Sequence, residues 1–141
     1  MQQNDIRRFV KFVIVGTSGT LVDFGITFLF KELIGIPELI ANAIGFTVAA
    51  TTNYILNRTW TWRSHEKQVG VEYAKFFAVS LCGLGLNTLI IYLLTQHCVW
   101  SILPEAWNTP TVVFWISKLV ATAVVMVWNF LANNFFTFRK K

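Results

Sequence analysis

Asp23 and Lys118 stand inside otherwise apolar stretches, and asparagines recur within such stretches at Asn42, Asn53, Asn57, Asn87, Asn129 and Asn133. Side chains of these types hold polar groups by charge and hydrogen bonding. An ionisable group inside a bilayer costs about 2.5–3.5 kcal/mol on insertion scales, so each needs a physical reason for its place. One reason is a proton or polar headgroup that must cross; another is a buried pair that fixes helix register. Signals for covalent chemistry are lacking: there is no P-loop, no Gly-x-Ser-x-Gly, no His-Glu-x-x-His and no Cys-x-x-Cys. Gly16-Thr17-Ser18-Gly19 lies within an apolar helix and reads as a packing patch. His65 and His97 are expected on opposite membrane sides, where they cannot share a metal, and Cys82 and Cys98 are too far apart for a disulfide. No cofactor is expected, and an enzyme is the least expected class.

The elements that must position these groups follow from composition. Of 141 residues, 55% are hydrophobic and only 13% charged, with a mean hydropathy of +0.54. A soluble domain is about 25% charged, and this composition would leave it large exposed apolar patches. The low charge and 16% aromatic content exclude intrinsic disorder, and two cysteines exclude a disulfide scaffold. Apolar stretches run from Phe9 to Leu33, Leu39 to Leu56, Phe76 to Leu94 and Thr111 to Leu131. Each approaches the roughly 20 residues that a bilayer crossing requires, and none alternates with period two. One all-α membrane domain of four transmembrane helices over residues 1–141 is the expectation. The first stretch is too long for a signal peptide, and no small-residue cleavage site ends it.

Charge orients the bundle. Arg7, Arg8, Lys11, Arg58, Arg63, Lys67, Lys75, Arg139, Lys140 and Lys141 fall on one side with Asp5, Glu66 and Glu72, a balance of +7. Lys31 faces Glu32, Glu38 and Glu105 on the other side, a balance of −2. Basic residues near short loops stay cytoplasmic, so both termini are expected inside. This explains the net charge of +5 without a nucleic-acid partner. Trp60, Trp62 and Tyr73 suit an inner interfacial belt, and Trp100 and Trp107 an outer one.

The sequence also repeats. At an offset of 64, Phe9, Lys11-Phe12, Val15, Gly19, Asp23 and Leu29 align with Tyr73, Lys75-Phe76, Val79, Gly83, Asn87 and Leu93. At an offset of 76, Asn53-Tyr54, Asn57 and Thr61-Trp62-Arg63 align with Asn129-Phe130, Asn133 and Thr137-Phe138-Arg139. Each unit crosses twice, which predicts two tandem, parallel two-helix repeats related by an axis along the membrane normal. By helical rise, Asp23 lies about 21 Å from Phe9 and Lys118 about 10 Å from Thr111. Both therefore occupy one level of the outer half. With Asn87 and Asn42 they predict a four-membered polar layer containing an Asp23–Lys118 pair. The faces Ala41, Gly45, Ala49, Asn53, Asn57 and Ser117, Ala121, Val125, Asn129, Asn133 permit close helix approach. Lys11, Arg58, Lys75 and Arg63 are expected at the inner rim, near Asn53, Asn57, Asn129 and Asn133, where basic pockets can take anionic headgroups.

Arg8-Phe9, Lys11-Phe12, Gly16, Gly19, Asp23 and the run Asn53-Tyr54-Ile55-Leu56-Asn57-Arg58 through Trp62 resemble the GtrA family over nearly the whole chain. Trp60 and Trp62 stand where a Phe would be expected in the family's aromatic ending. The resemblance implies a bacterial inner-membrane protein that flips a polyprenyl-phosphate-linked sugar, such as undecaprenyl-phosphate glucose, to the periplasmic leaflet in cell-surface polysaccharide or O-antigen modification. On that reading Lys11, Arg58 and Lys75 recruit the sugar phosphate. Asn53, Asn57, Asn129 and Asn133 line its groove, and Asp23, Lys118, Asn87 and Asn42 meet it before release. The partners implied are the lipid itself, surrounding membrane lipids, membrane-bound glycosyltransferases and a second copy of the chain. Two rivals remain: a non-transporting scaffold that anchors a glycosyltransferase, and a small multidrug-type exporter using Asp23. A fixed charge on Lys118 argues against cationic drugs.

Overall fold

Without water to bond backbone groups, an apolar segment satisfies its N–H and C=O groups internally by forming a helix. The computed structural model describes residues 3–97, 100 and 102–139. Helix α1 spans Gln3–Phe28 and continues as a π-helical turn, Leu29–Leu33. Helix α2 spans Glu38–Leu56 and ends in a second such turn, Asn57–Thr61. Helix α3 spans Val69–His97, and α4 spans Pro110–Ala132 and ends in the turn Asn133–Thr137. Gly35, at φ +81°, supplies the left-handed backbone between α1 and α2. Thr109 caps α4 by accepting from the Val112 N–H, and Pro110 fills the first helical position. Cys98, Lys140 and Lys141, which entered the disulfide and charge arguments, lie outside the described residues.

Among the described residues four α-helices are present, as expected. Gln3–Leu33, Val69–His97 and Pro110–Thr137 are long and apolar enough to cross a membrane. α2 is diluted by Asn42, Thr47, Thr51, Thr52 and Asn53. Its threonines turn their hydroxyls back on the helix: Thr47, Thr51 and Thr52 donate to the carbonyls of Ala43, Thr47 and Val48 at 2.7, 2.7 and 2.9 Å. Helix ends also differ from expectation, α1 starting at Gln3 and α3 at Val69. Hydropathy marks where lipid begins, whereas a helix can continue beyond it. The 29 residues of α3 measure about 43 Å at 1.5 Å each, against a hydrocarbon core roughly 30 Å thick.

α1 packs along α2 and α3 along α4, and the two pairs meet lightly. Close packing falls to small residues: Ala41, Gly45 and Ala49 on α2, Ser117 and Ala121 on α4, and Gly19 and Gly83 opposite them are all buried. Leu21 and Leu119 face outward, each 71% exposed. Lipid is as apolar as leucine, so van der Waals contact and hydrogen bonds hold such helices together. At the basic end, Phe12, Tyr54, Trp62, Phe76, Phe130 and Phe138 form a buried aromatic cluster. Trp62 corrects the belt expectation, being 5% exposed and stacked on Phe138 with centroids 4.6 Å apart. Its indole N–H donates to Asn134 Oδ1 at 3.0 Å, a partner inside the bundle that leaves the ring no need of an interface. Trp60 and Trp107 are exposed.

Candidate functional site

Two buried asparagines organise the basic end, each opening a π-helical turn. Asn57 Oδ1 accepts from the Thr61 hydroxyl and Asn133 Oδ1 from the Thr137 hydroxyl, both at 2.8 Å. These asparagines hold the ends of α2 and α4. The expected groove lining is therefore not their position: each is only 1% exposed. The rim lysines also match: Lys11 Nζ lies 5.2 Å from the centroid of Trp60, and Lys75 Nζ 5.2 Å from that of Phe136. Lys11 donates further to the Trp60 carbonyl at 3.3 Å. Contact with neutral rings leaves both charges uncancelled.

Arg58 has a different setting. Its guanidinium is paired with Glu72, donates to the Glu66 carbonyl at 2.7 Å and lies 3.5 Å from Tyr54 Oη. The Glu72 carboxylate also accepts from Tyr54 Oη at 2.9 Å and from the Ser64 hydroxyl, and its side chain is 2% exposed. Burial opposes the Arg58 charge, but the hydrogen bonds and negative charge of Glu72 outweigh it and hold the guanidinium above its ordinary pKa. Arg58 is thus occupied by the protein, tying the end of α2 to the start of α3.

Two cavities open at this end. One, of about 530 Å³, is lined by Asn4, Arg7, Arg8, Lys11, Thr61, Trp62, Arg63 and His65. The other, of about 480 Å³, is lined by Glu66, Gln68, Val71, Glu72, Lys75, Phe135, Phe136, Thr137 and Arg139. Arg63 follows the α2 turn with φ +50°, a left-handed conformation that costs a non-glycine residue roughly 1–2 kcal/mol.

Inside the bundle, the Asn53 carboxamide occupies the space where a side chain at Gly19 would begin, and Asn129 lies over Gly83 in the same way. The carboxamide oxygens of Asn53, Asn87 and Asn129 are buried without a hydrogen-bond partner among the described residues. Asp23 lies against Gly45, whose Cβ would come 2.6 Å from its Oδ1, and accepts from the Thr27 hydroxyl at 3.4 Å. Lys118 instead lies over Trp115, 5.3 Å from the ring centroid. Asp23 and Lys118 form no ion pair among the described residues, and Asn42 is exposed. The expected polar layer is therefore not assembled within one chain. Its members lie on different helix pairs, and the ring contacts joining α1 to α4, Phe9 and Phe12 against Phe130, lie at the basic end.

Residues that sequence reasoning passed over are Glu72, counted only as a surface charge, and Arg7, Arg8 and His65 in the larger cavity, which they share with the expected rim residues Lys11 and Arg63. A signal existed. The offset of 64 sets Glu72 opposite Arg8, a reversal of charge between otherwise matching segments.

A membrane helix bundle with a basic, aromatic-cored end and unpartnered amide oxygens in its interior is the class that this fold and site define. The GtrA/DPMS transmembrane domain matches residues 11–138, and the chain belongs to that family. It is 31% identical over 133 residues to the uncharacterized membrane protein YngA of Bacillus subtilis (strain 168), covering 94% of this chain and 80% of that one. It is 33% identical over 93 residues to a dolichol-phosphate mannosyltransferase of Pyrococcus furiosus, covering 65% of this chain but only 26% of that protein. The uncharacterized membrane protein YwcD of Bacillus subtilis (strain 168) is 21% identical over 132 residues, 92% of this chain and 94% of the relative.

Proposed function

We propose that the chain translocates a polyprenyl-phosphate-linked sugar, such as undecaprenyl-phosphate glucose, across a bacterial inner membrane for cell-surface polysaccharide or O-antigen modification. The basic end is cytoplasmic on this reading, and two tandem two-helix units stand side by side about an axis along the membrane normal. The observation that carries the proposal is the set of buried, unpartnered oxygens on Asn53, Asn87 and Asn129. Each costs about 1–3 kcal/mol if left unsatisfied, and a bundle that served only as an anchor could replace them with apolar groups. Sugar hydroxyls supply the donors that these oxygens lack. The phosphate enters at the basic rim, Asp23 meets the sugar farther out, and the prenyl chain remains in lipid. A second copy of the chain would widen the path, and a membrane-bound glycosyltransferase would be the working partner.

A scaffold is the second reading, supported by the similarity to part of a dolichol-phosphate mannosyltransferase, a protein named as a transferase. Transbilayer uptake of a short-chain isoprenyl-phosphate glucose into proteoliposomes separates the two. Wild type should take it up, and Asn53→Ala with Asn129→Ala should cut uptake about tenfold, the equivalent of one or two lost hydrogen bonds. Folding should persist, since the substitutions remove unpartnered atoms. If the folded wild type gives no uptake above protein-free vesicles and still binds a glycosyltransferase, the scaffold reading replaces this one.

A further inference from the structure

The two cavities at the basic end occupy corresponding places in the two halves. By the offsets of 64 and 76, Asn4, Arg7, Arg8, Lys11 and Arg63 of the larger cavity answer to Gln68, Val71, Glu72, Lys75 and Arg139 of the smaller. Where the halves differ, the positive charge lies in the first. The larger cavity carries four fixed cations and no acid in its lining, whereas the smaller carries two, Lys75 and Arg139, with Glu66 beside them and Glu72 taken up by Arg58. Two of the four fixed cations are shared with other groups: Lys11 with the neutral Trp60, and Arg8 with Asp5 at 3.8 Å in a partly exposed pair. Arg7 and Arg63 have no ion pair among the described residues.

Arg63 adds an independent sign. It occupies the left-handed position just past a helix end, where glycine is usual, while its counterpart Arg139 has no positive φ. An arginine held there against backbone preference is there for its side chain. The flank of α1 differs too. Ile6, Val10 and Ile14 form an apolar row spaced by four, each about half exposed, and the corresponding residues of α3 are Gly70, Ala74 and Ala78. An anion that reaches the first cavity can therefore bring a hydrocarbon chain along α1, whereas the exposed apolar residues at the second cavity are Val71, Phe135 and Phe136.

We infer that the cavity between the start of α1 and Arg63 is the single anion site of the chain, that it takes the phosphate of an isoprenyl phosphate, and that the matching cavity in the other half does not. This rests on the lipid-phosphate reading above and assigns that phosphate to Arg7, Arg8, Lys11 and Arg63, with Arg58 held back by Glu72. Guanidinium forks suit phosphate oxygens because their N–H groups can bond in pairs.

The test is a titration of the full chain, in phosphatidylcholine nanodiscs at physiological salt, with geranyl phosphate and in parallel with inorganic phosphate. One geranyl phosphate should bind per chain. Arg7→Val and Arg63→Gly should each weaken it about tenfold, as expected for one lost hydrogen bond to a charged group. Arg139→Gly should leave affinity within about twofold, since Arg139 lines the other cavity, which has half as many cations and an acid, Glu66, among them. Arg63→Gly should unfold no earlier than wild type on heating, because glycine favours that backbone, so lost binding is not lost folding. Two bound equivalents, or equal losses from Arg63→Gly and Arg139→Gly, would overturn the assignment to one half and leave the lipid-phosphate reading standing. Inorganic phosphate binding as tightly as geranyl phosphate, with the same Arg63 dependence, would keep the site and remove its lipid. If neither probe binds the folded wild type, the site is refuted, and the uptake assay alone decides the function.

Discussion

In the α1–α2 half, Asn53 fills the space over Gly19, Asn57 holds Thr61 and Lys11 lies over Trp60. In the α3–α4 half, Asn129, Asn133 and Lys75 make the same contacts with Gly83, Thr137 and Phe136. The halves part where they face each other. Arg58 and Glu72 lock α2 to α3, while the positions answering to them are Asn134, which accepts from Trp62, and Arg8, which lines the larger cavity. Contacts that hold two helices together recur, and contacts that face the other half or the open basic end do not. Helix pairing constrains both halves alike, and a seam between them needs each charge only once.

The largest expected effect breaks the seam. Arg58→Ala strands the Glu72 carboxylate and should lower stability by about 3–5 kcal/mol, whereas Asn134→Ala removes one hydrogen bond and should cost about 1 kcal/mol. Denaturant unfolding of the detergent-solubilised chain measures both, and equal losses would mean that the two seams are held alike. Next come the glycines. Gly19→Ala and Gly83→Ala should each destabilise by about 1–3 kcal/mol through overpacking, and Asn53→Ala should rescue the first but not the second. A loss at one glycine alone would end the correspondence between the halves. Smallest are Lys11→Met and Lys75→Met, each expected to lose about 0.5–1 kcal/mol of cation–π attraction. A difference between those two larger than the effect itself would show that the rim lysines are not equivalent.

Much of this was legible in the sequence. Four apolar stretches, the small-residue faces and the doubled asparagines depend on local composition and spacing, and the helices, the close packing and the recurrent Asn–Gly contacts follow from them. Charged side chains were harder to place. Asp23 and Lys118 share a depth, but depth says nothing of azimuth, and each turned to a neighbour on its own helix, Thr27 or Trp115. The positive-inside pattern treated Arg58 and Lys11 as alike, yet one is consumed by Glu72 and the other is not. Trp62 was misplaced because an indole suits an interface and a core equally, and the Asn134 acceptor that decides the matter is distant in sequence.

The polarity of α2 bears on how the chain enters the membrane. Within α2, Asn42, Asn53 and the threonines at 47, 51 and 52 offset the apolar residues around them, and transfer into lipid depends on that sum. Its neighbour along the chain is α1, joined by a short connection through Gly35, and α1 brings Gly19 to receive the Asn53 carboxamide. A hairpin of α1 and α2 already carries this contact, so Gly19→Ala is expected to lower the inserted yield of the chain as well as the stability of the finished bundle.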